Sequence, residues 1–286
     1  INNHLDDTCL NKIVEIAQKV SSTNYQKTPT FRKRGENKFK SKQFKPTQLN
    51  TVLSNKDKFF NTIITLLNKL TGINIEYTKN ELDILILEGI EKDYIYFDVE
   101  KECPLVDLYF NTIICNSFFI NTFVELTCYL SNKFDFFNDY IKVYINKYEE
   151  MICSTNTVDA EEDYNEFCYN NKKNDKTKTL TKYFCGLLNE DIIKYSDLES
   201  SIEKCINIIN ENLYDETKKQ TNEMFFEYLI IMTSNIKIGE LYFKIIEFIK
   251  MIVNVNVKKT PGITRKVIFK LQDVIDDFNI KFDGYI

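Results

Sequence analysis

With 286 residues, a net charge of −5, 43% apolar and 28% charged side chains, the chain can build one large core or two small ones. It is too apolar for a disordered tail, and seven glycines and four prolines are too few for the many tight turns of an all-β sandwich or barrel. One histidine, His4, leaves almost nothing for imidazole catalysis or a His-ligated metal.

In chain order, Leu5, Cys9, Ile13, Ile16, Ala17 and Val20 recur at helical spacing and predict an amphipathic helix within residues 1–22. From Lys27 to Lys45, eight basic residues stand against Glu36 alone. That is a local charge of +7, which leaves −12 for the rest. Pro29, Gly35 and Pro46 punctuate this stretch and no apolar period runs through it, so residues 23–54 read as a basic extended arm.

Helical periodicity then takes over through residues 55–286. Phe59, Ile63, Leu67 and Leu70 form a stripe opened by Ser54 or Asn55 and stopped by Gly72, and further stripes cover 76–91, 104–115, 118–132 and 136–152. Between Ser154 and Lys178 the apolar pattern fails, which predicts a mobile polar insert. Later starts are expected at two capping boxes, Ser196–Glu199 and Thr217–Gln220, then at Asn235, and finally at Thr260-Pro261, with proline in the first turn. The alternating Val253–Val257 reads as a helix end running into a loop. About ten helices of 13–18 residues in short-looped antiparallel pairs make an all-α fold, an α-solenoid of about five pairs.

The eight cysteines contain no Cys-x-x-Cys, so they read as buried reduced thiols and not as a zinc site or disulfide framework. No window approaches a membrane span and no signal peptide is visible, which points to the cytoplasm. Adjacent carboxylates such as Asp276 and Asp277 diverge on a helix, and no Gly-rich phosphate loop exists. The expectation is a non-enzyme without metal or cofactor. Because the chain begins at Ile1, it reads as an excised piece of a longer protein.

Three segments resemble one family. Ile64–Thr71 is similar to the Ile-Leu-Asn-Lys-Leu-Thr signature closing the first helix in the middle domain of eukaryotic translation initiation factor 4 gamma. Val267–Asp276 resembles the Ile-Arg-Phe-Met-Leu-Gln-Asp-Val-Leu-Asp of that domain's last helix, and Tyr183–Leu188 resembles the Lys-Phe-Ile-Gly-Glu-Leu between them. They stand in family order and spacing. The resemblance implies a crescent of five HEAT repeats that binds and stimulates the DEAD-box RNA helicase initiation factor 4A, and that binds RNA. The asparagine-, lysine- and isoleucine-rich composition points to an AT-rich genome, of a protist or a large DNA virus.

The family carries an aromatic anchor before the first repeat. Two segments match halves of it, Glu36–Lys40 around Phe39 and Phe44–Thr47, and Phe44 with Lys45 is preferred; phenylalanine stands in for tryptophan, which the chain lacks. At the other end, Arg265, Lys266, Phe269 and Lys270 face away from the last apolar stripe, where the resemblance places the second helicase contact. Arg32, Lys33, Arg34, Lys38, Lys40 and Lys42, interleaved with aromatics, suit RNA phosphates and bases, and equally an acidic protein surface. The cap-binding-subunit motif is not completed by any tyrosine, so a cap-binding partner would need segments outside this chain. The alternatives are a middle-domain adaptor of mRNA decay or splicing, or a HEAT-type peptide adaptor without a helicase.

Overall fold

The computed structural model describes residues 53–96 and 103–283, and the chain from Val52 onward forms one compact unit. The helix expected at 5–20, the basic arm, Phe39, Phe44 and Lys45 lie outside the described residues. Ten α-helices follow one another: α1 (Asn55–Asn68), α2 (Ile75–Glu91), α3 (Pro104–Cys115), α4 (Ile120–Lys133), α5 (Phe136–Cys153), α6 (Tyr164–Asn189), α7 (Tyr195–Asn212), α8 (Lys219–Asn235), α9 (Glu240–Val253) and α10 (Arg265–Asp283). No strand occurs among the described residues.

The helices sort into two layers. The even-numbered ones pack side by side in the order α2, α4, α6, α8, α10. In the odd layer α1 packs on α3, and α5, α7 and α9 follow in turn. The α3–α5 seam is closed by Phe110 stacked on Tyr144, with ring centroids 3.7 Å apart. Layer meets layer through α1–α2, α3–α6, α4–α5, α5–α6, α7–α8, α8–α9 and α9–α10. This is the all-α, solenoid-type packing expected from helix pairs that cannot bury their apolar stripes alone.

Buried hydroxyls stitch the layers. Thr127 of α4 donates to the Phe123 carbonyl at 2.7 Å, which leaves its two lone pairs for the hydroxyls of Tyr109 (α3, 2.8 Å) and Tyr183 (α6, 2.7 Å). Burial holds both tyrosines well above their ordinary pKa, so both remain donors. Tyr148 pairs with Thr181 at 2.9 Å and Tyr228 with Thr155 at 3.1 Å in the same way. The Tyr183–Leu188 segment that carries the middle resemblance is therefore largely core, and its Gly186 lets α6 approach α4. A Cβ there would come within 2.5 Å of a Val124 methyl.

Several local expectations change. Ser54 does cap α1, its hydroxyl accepting from the Asp57 N–H at 3.1 Å. The polar insert at 154–178 splits into a loop ending at the Asp163 cap and the first half of α6. The apolar period fails there because the buried positions, Asn170, Asn174, Thr177 and Thr181, are polar while keeping helical spacing. Asn174 uses its buried site to donate to the Asn156 carbonyl at 3.1 Å, holding the loop down.

The other starts shift by a few residues. α7 begins at Tyr195, with the Asp197 carboxylate accepting from the Lys194 N–H at 2.6 Å, so Ser196 is inside the helix. Asp215, not Thr217, opens the short 3₁₀ turn before α8. Asn235 ends α8, donating to the Ile231 carbonyl, and Gly239 precedes α9. Thr260 donates back to Asn256, and Thr264 takes the capping role on α10, accepting from the Val267 N–H at 3.3 Å. Val253 ends α9 and the chain turns into a loop, as read from the sequence.

That loop is pinned by Gly262, whose N–H donates to the Leu213 carbonyl at 2.9 Å while Asn222 donates to its carbonyl at 2.9 Å. A Cβ on Gly262 would lie 2.0 Å from the Asn212 carbonyl oxygen. Gly262→Ala should destabilise by about 2 kcal/mol or more, because backbone must move. Gly72→Ala, where a Cβ meets nothing within 4 Å, should stay within about 0.5 kcal/mol of the parent. Urea melts of the pair decide this. Thr127→Val keeps the shape but strips the buried Tyr183 hydroxyl of its acceptor, while Tyr109 keeps the Phe123 carbonyl at 3.2 Å, and should cost about 1–3 kcal/mol in the same assay.

Candidate protein-interaction surface

α10 buries Val267, Leu271 and Ile275, and Phe278 stacks on Tyr242 of α9 with centroids 6.2 Å apart. That fixes the rotation of the helix. Arg265, Lys266, Phe269 and Asp273 are turned outward, and Lys270 is half-buried at the seam with α8. Phe269 is 70% exposed. A phenyl ring at that exposure contributes little to this fold, which makes it available to a partner.

The two lysines are not a bare positive face. α8 offers Glu223 and Glu227 one turn apart, and α10 offers Lys266 and Lys270 at the same spacing. Lys266 Nζ lies 2.5 Å from Glu223, and Lys270 Nζ lies 2.9 Å from Glu227 and 3.6 Å from Glu223. Lys178 of α6 reaches Glu227 from the other side at 2.6 Å. Burial pushes the Glu227 carboxyl up, but hydrogen bonds from Lys178 and Lys270 outweigh it and hold the group below the ordinary glutamate value. Glu227 in turn raises Lys270, against the opposing effect of burial. The four residues singled out on this helix are brought together, with two of their charges compensated by α8.

Two grooves flank the C-terminal half of α8. One, of about 370 Å³, runs between α8 and α10 over Ile230, Ile231 and Val274, with Asp273 and Asp277 on its rim. The other, of about 420 Å³, shares Ile230, Ile231 and Ser234 and leads past Lys182 to Phe118, which is 89% exposed. The first groove combines isoleucine and valine with carboxylates and Lys270, and the second mixes Phe118, Ile120, Ile230 and Ile231 with serine, asparagine and Lys182, linings that offer a polypeptide both apolar and polar contacts.

No group of three or more His, Cys, Asp or Glu among the described residues is placed to hold a metal. Burial pushes the Cys185 thiol up to about 12, away from thiolate reactivity. The expectation of uniformly buried cysteines is corrected: Cys103, Cys185 and Cys205 are buried, whereas Cys115 and Cys153 are exposed and Cys128 and Cys168 intermediate. No single described helix is long and apolar enough to cross a membrane; α3 and the segment 117–133 together reach that length and composition, but are bent by 96° at the break between them.

Reading the sequence for apolar stripes missed Glu223, Glu227 and Lys178. The signal was present as an acidic i, i+4 pair on one helix matched by a basic i, i+4 pair on another. The arm residues that the sequence suggests for helicase or RNA contact, Arg32, Lys33, Arg34, Lys38, Lys40 and Lys42 with Phe39, Phe44 and Lys45, lie outside the described residues. No family model matches the sequence, and a comparison with curated proteins gives no match.

Glu227→Gln tests the shared carboxylate. Because its folded pKa is depressed, its contribution is complete above the ordinary glutamate pKa of about 4.3 and disappears as pH falls through the folded value. The variant should be less stable than the parent at neutral pH, and the gap should close as pH falls below the folded value. Thermal melts across this range check the sign.

Proposed function

We propose that this protein is a non-enzymatic scaffold of the initiation factor 4 gamma middle-domain type, acting in the cytoplasm. It binds and stimulates a DEAD-box RNA helicase of the initiation factor 4A kind and binds mRNA through its basic arm. The observation that carries the reading is Phe269: an outward, 70% exposed aromatic beside Arg265, on the helix whose sequence resembles the family's last one. The two-layer helical array supplies the rigid platform that such a scaffold needs. Lys266 and Lys270 are already paired with α8, so Arg265 and Phe269 carry most of the weight of this contact.

A scaffold of this kind works by binding one arrangement of the helicase lobes more tightly than another. The arm anchor, Phe44 in preference to Phe39, would hold one lobe and the α10 face would bias the other. Alone, the chain should hydrolyse no ATP; with its cognate helicase it should raise RNA-dependent ATPase. Phe44→Ala should weaken helicase binding by about 2 kcal/mol, the usual effect of removing an aromatic hot spot. Arg265→Glu combined with Phe269→Ala should reduce stimulation more than affinity. Titration calorimetry with ATPase assays separates the two, and a parent that neither binds nor stimulates the helicase sinks the proposal.

One observation favours a second reading. The adjoining grooves along α8 suit an extended or helical peptide, as in a solenoid adaptor without a helicase, or one serving mRNA decay or splicing. Parallel binding assays against factor 4A and its decay and splicing paralogues distinguish these cases.

A further inference from the structure

α6 is one helix in backbone but two in composition. From Leu180 onward its inward side chains, Leu180, Tyr183, Phe184 and Leu187, are buried, and Tyr183 is fixed by its bond to Thr127. Between Tyr164 and Thr177 no apolar side chain is buried, and the inward positions belong to Asn170, Asn174 and Thr177. Half-buried Phe167 stacks on exposed Tyr164, a contact that stays inside the segment. The polar filling does little to hold this half in place. The amide nitrogen of Asn170 and the amide oxygen of Asn174 are buried without a hydrogen-bond partner among the described residues, which lowers stability.

Asn174 donates to the Asn156 carbonyl and Lys173 to the Ser154 carbonyl, each at 3.1 Å, so these bonds tie the helix half to its own loop. That loop is held to α8 by two neutral hydroxyl pairs, Thr155 with Tyr228 at 3.1 Å and Thr157 with Thr221 at 3.0 Å. Local sequence does not compensate. Residues 164–177 include four asparagines, an aspartate and a threonine, all poor helix formers, and a helix of this length is marginal in water without an apolar face to bury. Just beyond, Lys178 pairs with Glu227 at 2.6 Å and Leu180 enters the core, so firm packing resumes within one turn. We propose that loop 156–163 and the first half of α6 form a strap that opens as a unit, hinged near Thr177, while the rest of the array stays folded. Segments with few buried apolar contacts are the ones that open in this way. Opening releases the hydroxyls of Thr221 and Tyr228 on α8, and a partner that prefers either state shifts the equilibrium by its differential affinity. The strap is separate from the α10 surface and does not depend on the helicase reading.

Hydrogen exchange of the full chain, read by mass spectrometry, tests this. Amides of residues 167–176 should exchange at least about a hundredfold faster than those of residues 181–188 in the same helix, with little response to low urea, the sign of a local opening. Asn170→Leu gives the segment an apolar anchor and should slow its exchange at least about tenfold. Asn174→Ala removes the bond to the loop and should speed it, so either variant decides the matter should the other fail to fold. Neither should change residues 181–188. Brief trypsin treatment gives a second readout: cuts after Lys172 or Lys176 should appear well before cuts after Lys142 or Lys250, which are also exposed but lie in fully packed helices. Shared rates and urea dependence for the two halves of α6, or first-half rates that neither variant moves, overturn the proposal. Equal tryptic cutting at all four lysines does the same.

Discussion

A single buried oxygen, Oγ1 of Thr127, takes hydrogen bonds from Tyr109 and Tyr183 and so ties α3, α4 and α6 together. Its geometry is demanding because each polar group in the dry interior must find its partner or pay the full desolvation penalty. Around it Tyr109 meets Phe123 and Phe137, and Phe110 meets Tyr183, edge to face, so the rings of four helices are set by the same point. The centre of the array is thereby specified by direction as well as by volume, which apolar packing alone does not do.

Charge performs a comparable task on the outside. Between neighbours of the same layer, Lys79 meets Glu125, Asp107 meets Lys147, Glu149 meets Lys204, Lys178 meets Glu227, and Lys244 meets both Glu199 and Glu203. Each pair contributes little in isolation. Their placement at successive seams sets the register of one helix against the next, and α10 is the last to be fixed this way.

Much of this architecture was legible in the sequence, because most helices bury apolar residues at helical spacing and α1 announces itself through Ser54 and Asp57. The first half of α6 was not, since Asn170, Asn174 and Thr177 fill its inward positions and a search for apolar periodicity passes over them. Asn235 and Thr260 misled for another reason: both side chains turn back to carbonyls four residues earlier, and residues that favour caps favour that bond as well. At the candidate surface, the outward set on α10 was readable from one helix alone. Its neutralisation by Glu223 and Glu227 was not, because it depends on which helix lies alongside, a fact of tertiary packing.

The dry hydroxyls and the wet ion pairs respond differently to the solvent. The seams are the part that salt reaches: the Debye length falls from about 8 Å at physiological ionic strength to about 3 Å at 1 M. Concentrated electrolyte therefore reaches the ion pairs along these seams and leaves the buried hydroxyl network, including the Thr127–Tyr183 bond within one layer, untouched.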